Sequence, residues 1–140
     1  PLIEKTSLKI ALGNDVIVDY SMPMASFETV IKDADFISLH VPAQDKPVIG
    51  KKEFAKMKKG AGVINAARGG VIDEEALLDA LDNGQLSFAG LDTFLNEPKP
   101  AMKVLMHPKV SLTPHIGAAT KEAQDRIGTE LAQQIHAILG

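Results

Sequence analysis

The chain has 140 residues, 45% of them apolar and 24% charged, with a net charge of −3 and no cysteine. That length buries roughly 70% of the unfolded surface, enough for one domain with a real core. No Lys/Arg run exceeds two residues, no apolar stretch nears the roughly 18–20 that span a bilayer, and disulfide or thiolate chemistry is excluded. The reading is therefore a protein without nucleic-acid or membrane partners. The opening PLIEKTSLKI lacks a signal-peptide layout, and a cytoplasmic location is expected.

Apolar runs alternate with amphipathic stretches along the chain. VIVDY (16–20) reads as a strand ending at Asp19, and SFETVIKDA (26–34) as a short helix with Phe27, Val30 and Ile31 on one face. DFISLHVP (35–42) is a buried strand stopped by Pro42, which has no ladder donor. KKEFAKM (51–57) is a short helix and AGVINAA (61–67) a third strand. Asp73 is the expected N-cap of the next helix, with Glu74 and Glu75 in its positive first turn, Ile72 and Leu77 as a hydrophobic staple and Gly84 as the stop. LSFAGLD (86–92) and VSLTP (110–114) are the fourth and fifth strands. Thr120 caps a last helix whose Ala123, Ile127, Leu131, Ile135 and Ile138 form one stripe.

Strand alternating with helix predicts an α/β fold, a doubly wound parallel sheet covered on both faces. Ligands of such sheets bind outside the carboxyl ends of the strands. Asp19, His40, Arg68, Asp92 and His115 end or follow successive strands, so the ionisable residues gather at one edge.

Arg68, Glu97 and His115 form a set that can reach one crevice. A guanidinium fork holds a carboxylate at two points. A histidine exchanges a proton near neutral pH, and a carboxylate beside it fixes which ring nitrogen carries that proton. Oxidation of an α-hydroxy acid to a keto acid needs these groups. Each residue also has a plainer reading. Glu97 before Pro98 reads as a solvated loop acid, His115 as a half-buried packing residue and Asp92 as a cap or loop acid. His40 reads as a packed strand end. Gly69 and Gly70 read as suppliers of positive φ, and Gly117 as room for close backbone passage.

NAARGGVIDEEAL, GLDTFLNEP and LTPHIGAATKEAQ resemble the motifs of the D-isomer-specific 2-hydroxyacid dehydrogenases, in order, over about residues 8–139. HIGAATKEAQ is most similar to the D-3-phosphoglycerate dehydrogenase branch. The resemblance implies a Rossmann-like NAD-binding domain and hydride transfer between NAD and a D-2-hydroxy acid, with D-3-phosphoglycerate, a substrate of serine biosynthesis, as the first choice. It implies that Arg68 holds the substrate carboxylate, that His115 is the catalytic histidine and that Glu97 pairs with it. It places Asp92 near the nicotinamide carboxamide and the backbones of Val41, Ala66, Ala67 and Gly117 around the dinucleotide, with Arg68, His115 and Ala118 alongside. Asp19 resembles the acid that holds the adenosine ribose and so implies NAD over NADP. The family pattern there reads Tyr-Asp-Pro, whereas this chain reads Asp19, Tyr20, Ser21. No metal site is implied.

None of the 11 glycines falls in a GxGxxG. That loop belongs roughly 20 residues before the ribose acid, which here runs off the chain. PLIEKTSLKIALG then reads as the back half of the first crossover helix. The first strand, the pyrophosphate loop and the substrate domain lie outside the sequence, so a longer parent chain is expected. Residues 1–119 are read as a partial dinucleotide-binding domain and 120–140 as a helix returning to the substrate domain. By itself this stretch is expected to bind NAD weakly and to turn nothing over. A homodimer is expected of the full-length protein. The alternative function is an NAD-sensing, corepressor-like binding module, which the same fold serves in relatives.

Overall fold

A computed structural model describes residues 5–11 and 17–139. The chain divides into two compact units, residues 1–30 and 31–140.

In the first unit β1 (Lys5–Ala11) and β2 (Ile17–Pro23) pair antiparallel, with Leu8 opposite Tyr20 and Lys9 opposite Asp19. Two expectations are corrected here. PLIEKTSLKIALG was expected to be helical and instead holds a strand. Residues 16–20 were expected to join the parallel sheet with Asp19 at the strand end, yet β2 runs on to Pro23 and pairs only with β1 among the described residues. The sequence contains the reason. Leu8 and Ile10 alternate with Ser7 and Lys9, the period of a strand, and Gly13, Asn14 and Asp15 between the two runs are turn formers.

The second unit is built on a parallel sheet of order β3-β4-β5-β6, with β3 Phe36–Leu39, β4 Ala61–Asn65, β5 Leu86–Leu91 and β6 Val110–Leu112. The α/β parallel-sheet expectation holds. Helix α1 (Phe27–Asp33) precedes β3 and sends Ile31 into the core, while Phe27 and Val30 are exposed. Helix α2 spans Lys51–Phe54, shorter than expected. Helix α3 (Glu74–Asp82) starts as its sequence predicts: the Asp73 carboxylate accepts the N–H groups of Glu75 and Ala76, and Gly84 has φ 73° just beyond its end. Ile72 and Leu77, the expected staple, are both buried. Short α4 (Met102–Leu105) was not foreseen, because four residues beside Pro98 and Pro100 show no period. Helix α5 (Lys121–Leu139) begins where Thr120 Oγ1 accepts the Ala123 N–H at 3.2 Å.

The core joins Val63 and Ala89 of the central strands to Leu77 and Leu81 of α3, Phe54 of α2 and Val104 of α4. Burying an aliphatic side chain of this kind stabilises by about 1.5–3 kcal/mol. This core holds rigid the ends of β4, β5 and β6, from which the polar residues emerge. Among the described residues no helix is long and apolar enough to cross a membrane.

Candidate active site

Strand β4 ends in Asn65, buried to 2% exposure at the head of the turn that carries Arg68. The Asn65 Nδ2 donates to the Arg68 carbonyl at 2.9 Å, and its Oδ1 accepts the Ala67 N–H at 3.1 Å. Arg68 is exposed, with its Nη1 donating to the Ala67 carbonyl at 2.7 Å. Gly70 has φ 79°, as its reading requires. Gly69 serves differently from expected: its φ is not positive, and a Cβ there would lie 1.8 Å from the Phe94 carbonyl oxygen. The Arg68 turn therefore presses backbone to backbone on the segment that begins at Phe94.

That segment holds Glu97. Its Oε1 accepts the Phe94 N–H at 2.8 Å and its Oε2 lies 2.7 Å from His115 Nδ1. The hydrogen bond to His115, and after it the one from Phe94, hold the Glu97 carboxyl below its ordinary range. An ionised carboxylate only accepts, so Nδ1 carries the proton and Nε2 is the nitrogen left for a substrate.

His115 adopts φ 55°. The left-handed region costs a non-glycine residue roughly 1–2 kcal/mol, so its neighbours must hold it there. Asp92 does so. Its Oδ1 accepts the Thr113 hydroxyl at 2.6 Å and the Ile116 N–H at 2.9 Å, and its Oδ2 accepts the Gly117 N–H at 2.8 Å. Burial alone would raise the Asp92 pKa, but these three hydrogen bonds outweigh it and leave the carboxyl below its usual value. The plainer readings of Asp92 as a cap or loop acid and of Glu97 as a solvated loop acid thus give way to two clamps.

Two clefts open at these strand ends. One, of about 300 Å³, is lined by Ile64, Ala66, Gly90, Asp92, Thr113 and Gly117. The other, of about 480 Å³, is lined by Phe94, Glu97, Pro98, Leu112, Thr113 and His115. Thr113 belongs to both.

The structure thus brings Glu97 and His115 into contact, gathers Ala66, Asp92 and Gly117 on one cleft, and lays the Arg68 turn against the Glu97 segment. Ala67 is buried, with its N–H already taken by Asn65. Val41 packs partly buried on the core just past β3, and Ala118 is exposed. The side chain of Asp19 lies outside the described residues. His40, expected to pack, is exposed, and its Nε2 meets Ser38 Oγ at 2.8 Å. Sequence reasoning missed Asn65 and Thr113. A lone Asn closing an apolar run was the available signal for the first; a hydroxyl two residues before a histidine signals nothing by itself.

Residues 10–117 match the D-isomer specific 2-hydroxyacid dehydrogenase, NAD binding domain. The chain belongs to this family. It is 45% identical over 128 residues to a chloroplastic D-3-phosphoglycerate dehydrogenase of Arabidopsis thaliana, covering 89% of this chain and 19% of that protein. Hydroxypyruvate reductase of Thermotoga maritima is 44% identical over 127 residues, 87% of this chain and 42% of that one. The structure of D-lactate dehydrogenase with NAD+ from Lactobacillus jensenii superposes with a TM-score of 0.64 at 40% identity, covering 71% of this chain and 34% of that chain. The family domain spans only part of such dehydrogenases.

The cofactor of this domain is NAD, and the described residues suit one end of it. Ala66, Gly90 and Gly117 keep the 300 Å³ cleft free of bulk, and a Cβ on Gly117 would close to 3.0 Å on the Asp92 carboxylate. A planar ring fits beside small residues with a fixed carboxylate at hand. The GxGxxG loop that receives the pyrophosphate in dinucleotide folds does not occur in these 140 residues.

Proposed function

We propose that this dehydrogenase domain serves an enzyme that moves a hydride between NAD and a D-2-hydroxy acid, with Arg68, Glu97 and His115 as its catalytic residues. The observation that carries the reading is the 2.7 Å contact between His115 Nδ1 and Glu97, which leaves Nε2 for the substrate at the edge of an open cleft.

Bound NAD supplies the hydride acceptor. His115 Nε2 takes the proton of the substrate hydroxyl as the carbon becomes a carbonyl, and returns it in the reverse direction. Glu97, ionised across the working range, stabilises the imidazolium that forms and keeps the ring oriented. Arg68 turns its free guanidinium donors to the substrate carboxylate; one of its five N–H groups is held by Ala67. Asp92, Ala66, Gly117 and Ala118 are assigned to the nicotinamide end, Val41 and Ala67 to nonpolar contact along the dinucleotide, and Asp19 to the ribose.

The proposed substrate is D-3-phosphoglycerate, the substrate named for the Arabidopsis relative, which would place the protein in serine biosynthesis. Hydroxypyruvate is the competing choice. A homodimer in the cytoplasm is proposed for the full-length protein, of which residues 1–119 contribute to the cofactor domain and 120–140 form the helix leading to the substrate domain.

The test is NADH absorbance with the intact source protein, its mass determined, against a panel of D-2-hydroxy acids and their keto acids. The expected result is turnover of one acid well above the rest. A folded protein that binds NAD and turns over none of them would overturn the enzyme reading in favour of a binding module.

A further inference from the structure

The Arg68 guanidinium can hold a carboxylate only if the turn beneath it is fixed, and that turn is short, with Ala66 and Arg68 exposed. Its neighbours on either side are glycines or alanines, of which only Ala67 is buried, so side-chain packing holds it at one methyl group. Beyond the close passage of Gly69 over Phe94 and a 3.4 Å hydrogen bond from the Val71 N–H to the Arg68 carbonyl, what fixes it is the carboxamide of Asn65. Both polar ends of this buried group are committed to the turn, one on the N–H of Ala67 and one on the C=O of Arg68. Asn65 also fixes itself to the second clamp, since its carbonyl accepts the Asp92 N–H at 2.9 Å. The chain of contacts runs from the Asp92 backbone through Asn65 to the Ala67 peptide, whose carbonyl holds the Arg68 Nη1 at 2.7 Å.

We infer that Asn65 is a positioning residue for Arg68, setting where its guanidinium meets the substrate carboxylate. This rests on the dehydrogenase reading above. An amide is the only side chain of this size that both donates and accepts in a fixed plane. Aspartate keeps the acceptor for Ala67 but turns an oxygen on the Arg68 carbonyl. A buried acceptor facing an acceptor forces the turn to move. The Arg68 side chain would remain present, charged and misplaced.

The experiment uses the intact protein and compares Asn65→Asp, Arg68→Ala and the double variant. Asn65→Asp is expected to raise KM for the keto acid about tenfold or more, with KM for NADH changing less, because the two-point hold of the guanidinium is on the substrate carboxylate. Once Arg68 is alanine, Asn65→Asp should cost little further, since it acts through a group already gone. Independent multiplication of the two losses would overturn the inference, as would an Asn65→Asp enzyme with unchanged keto-acid KM. Should Asn65→Asp fail to fold, hydrogen exchange of the wild type still decides. The Ala67 amide must be protected at least as well as those in the neighbouring β4 ladder, and rapid exchange there would refute the brace. If the wild type turns over no acid, it is the dehydrogenase reading that fails, and the exchange result then stands on the brace alone.

Discussion

Helix α3 buries Leu77 and Leu81 completely, whereas α5, with a stripe of the same period, leaves Ile127, Leu131, Ile135 and Ile138 between 48% and 80% exposed. Sequence spacing gives both helices an apolar face. Only α3 has a surface to lay it on, because β5 and α2 pack beside it. A stripe is a local property and burial is a tertiary one. The same distinction separates the loops. Loop 113–117 is exposed, yet Asp92 makes three hydrogen bonds to it, and its position is set by a buried group rather than by its own burial.

The largest effect should come from removing chemistry while leaving packing alone. The His115 side chain is 44% exposed, so His115→Ala removes little buried surface. In the intact protein it should lower kcat/KM about 10²–10⁴-fold, the usual worth of a positioned acid–base group, with the melting temperature within a few degrees of wild type. Glu97→Gln should lower kcat by a smaller factor, since the carboxamide oxygen can still accept from Nδ1, though without the charge that stabilises the imidazolium and with the amide nitrogen turned on the Phe94 N–H. A loss confined to stability in either variant would return His115 to the plain reading of a packing residue.

Packing is tested from the other side by Leu77→Ala. At full burial the change removes the side chain and leaves a cavity, and the expected cost is about 2–5 kcal/mol in a urea titration. A cost below 1 kcal/mol would mean that α3 is held by its cap and not by its face.

How much of this was legible beforehand follows the same line. Elements with their own local signals came through: Asp73 as a cap, Gly84 as a stop, the apolar runs of β4 and β5. The meeting of Glu97 with His115 and the nearness of the Arg68 turn were legible because strand ends in a parallel sheet converge, which is a rule of topology. What could not be read needed a partner from elsewhere in the chain. The brace from Asn65, the close passage of Gly69 over Phe94 and the exposure of His40 are facts of three-dimensional contact. In the first unit the local alternation of Leu8 and Ile10 with Ser7 and Lys9 outweighs the helical expectation that rests on where a Gly-rich loop would fall.

Acid sharpens the comparison between clamped and unclamped segments. Asp92 and Glu97 both have pKa values lowered in the fold, from ordinary values of 3.8 and 4.5. A lowered carboxylate contributes stability that is fully present above its ordinary value and lost as pH falls through the folded one. The urea midpoint should therefore hold between pH 7 and about 5 and fall below the ordinary carboxylate range, with His115 and its loop the first to loosen. Asp92→Asn should flatten that fall while lowering stability near pH 7, because an amide cannot accept all three hydrogen bonds. An unchanged acid slope in Asp92→Asn would place the sensitivity elsewhere.

The smallest effect belongs to α5. Leu131→Gln removes an apolar side chain that is already 55% exposed and keeps good helix propensity. In the 140-residue chain its unfolding free energy from a urea titration should change by no more than about 0.5 kcal/mol, the range of an ordinary surface change. Leu77→Ala measured beside it gives the scale. If Leu131→Gln instead cost more than 1 kcal/mol in this chain, the stripe would be covered in solution and the contrast between the two helices would vanish. If the change is silent in the 140-residue chain but costly in the intact protein, the cover comes from residues outside this sequence, and the difference between the two measurements is the worth of that contact.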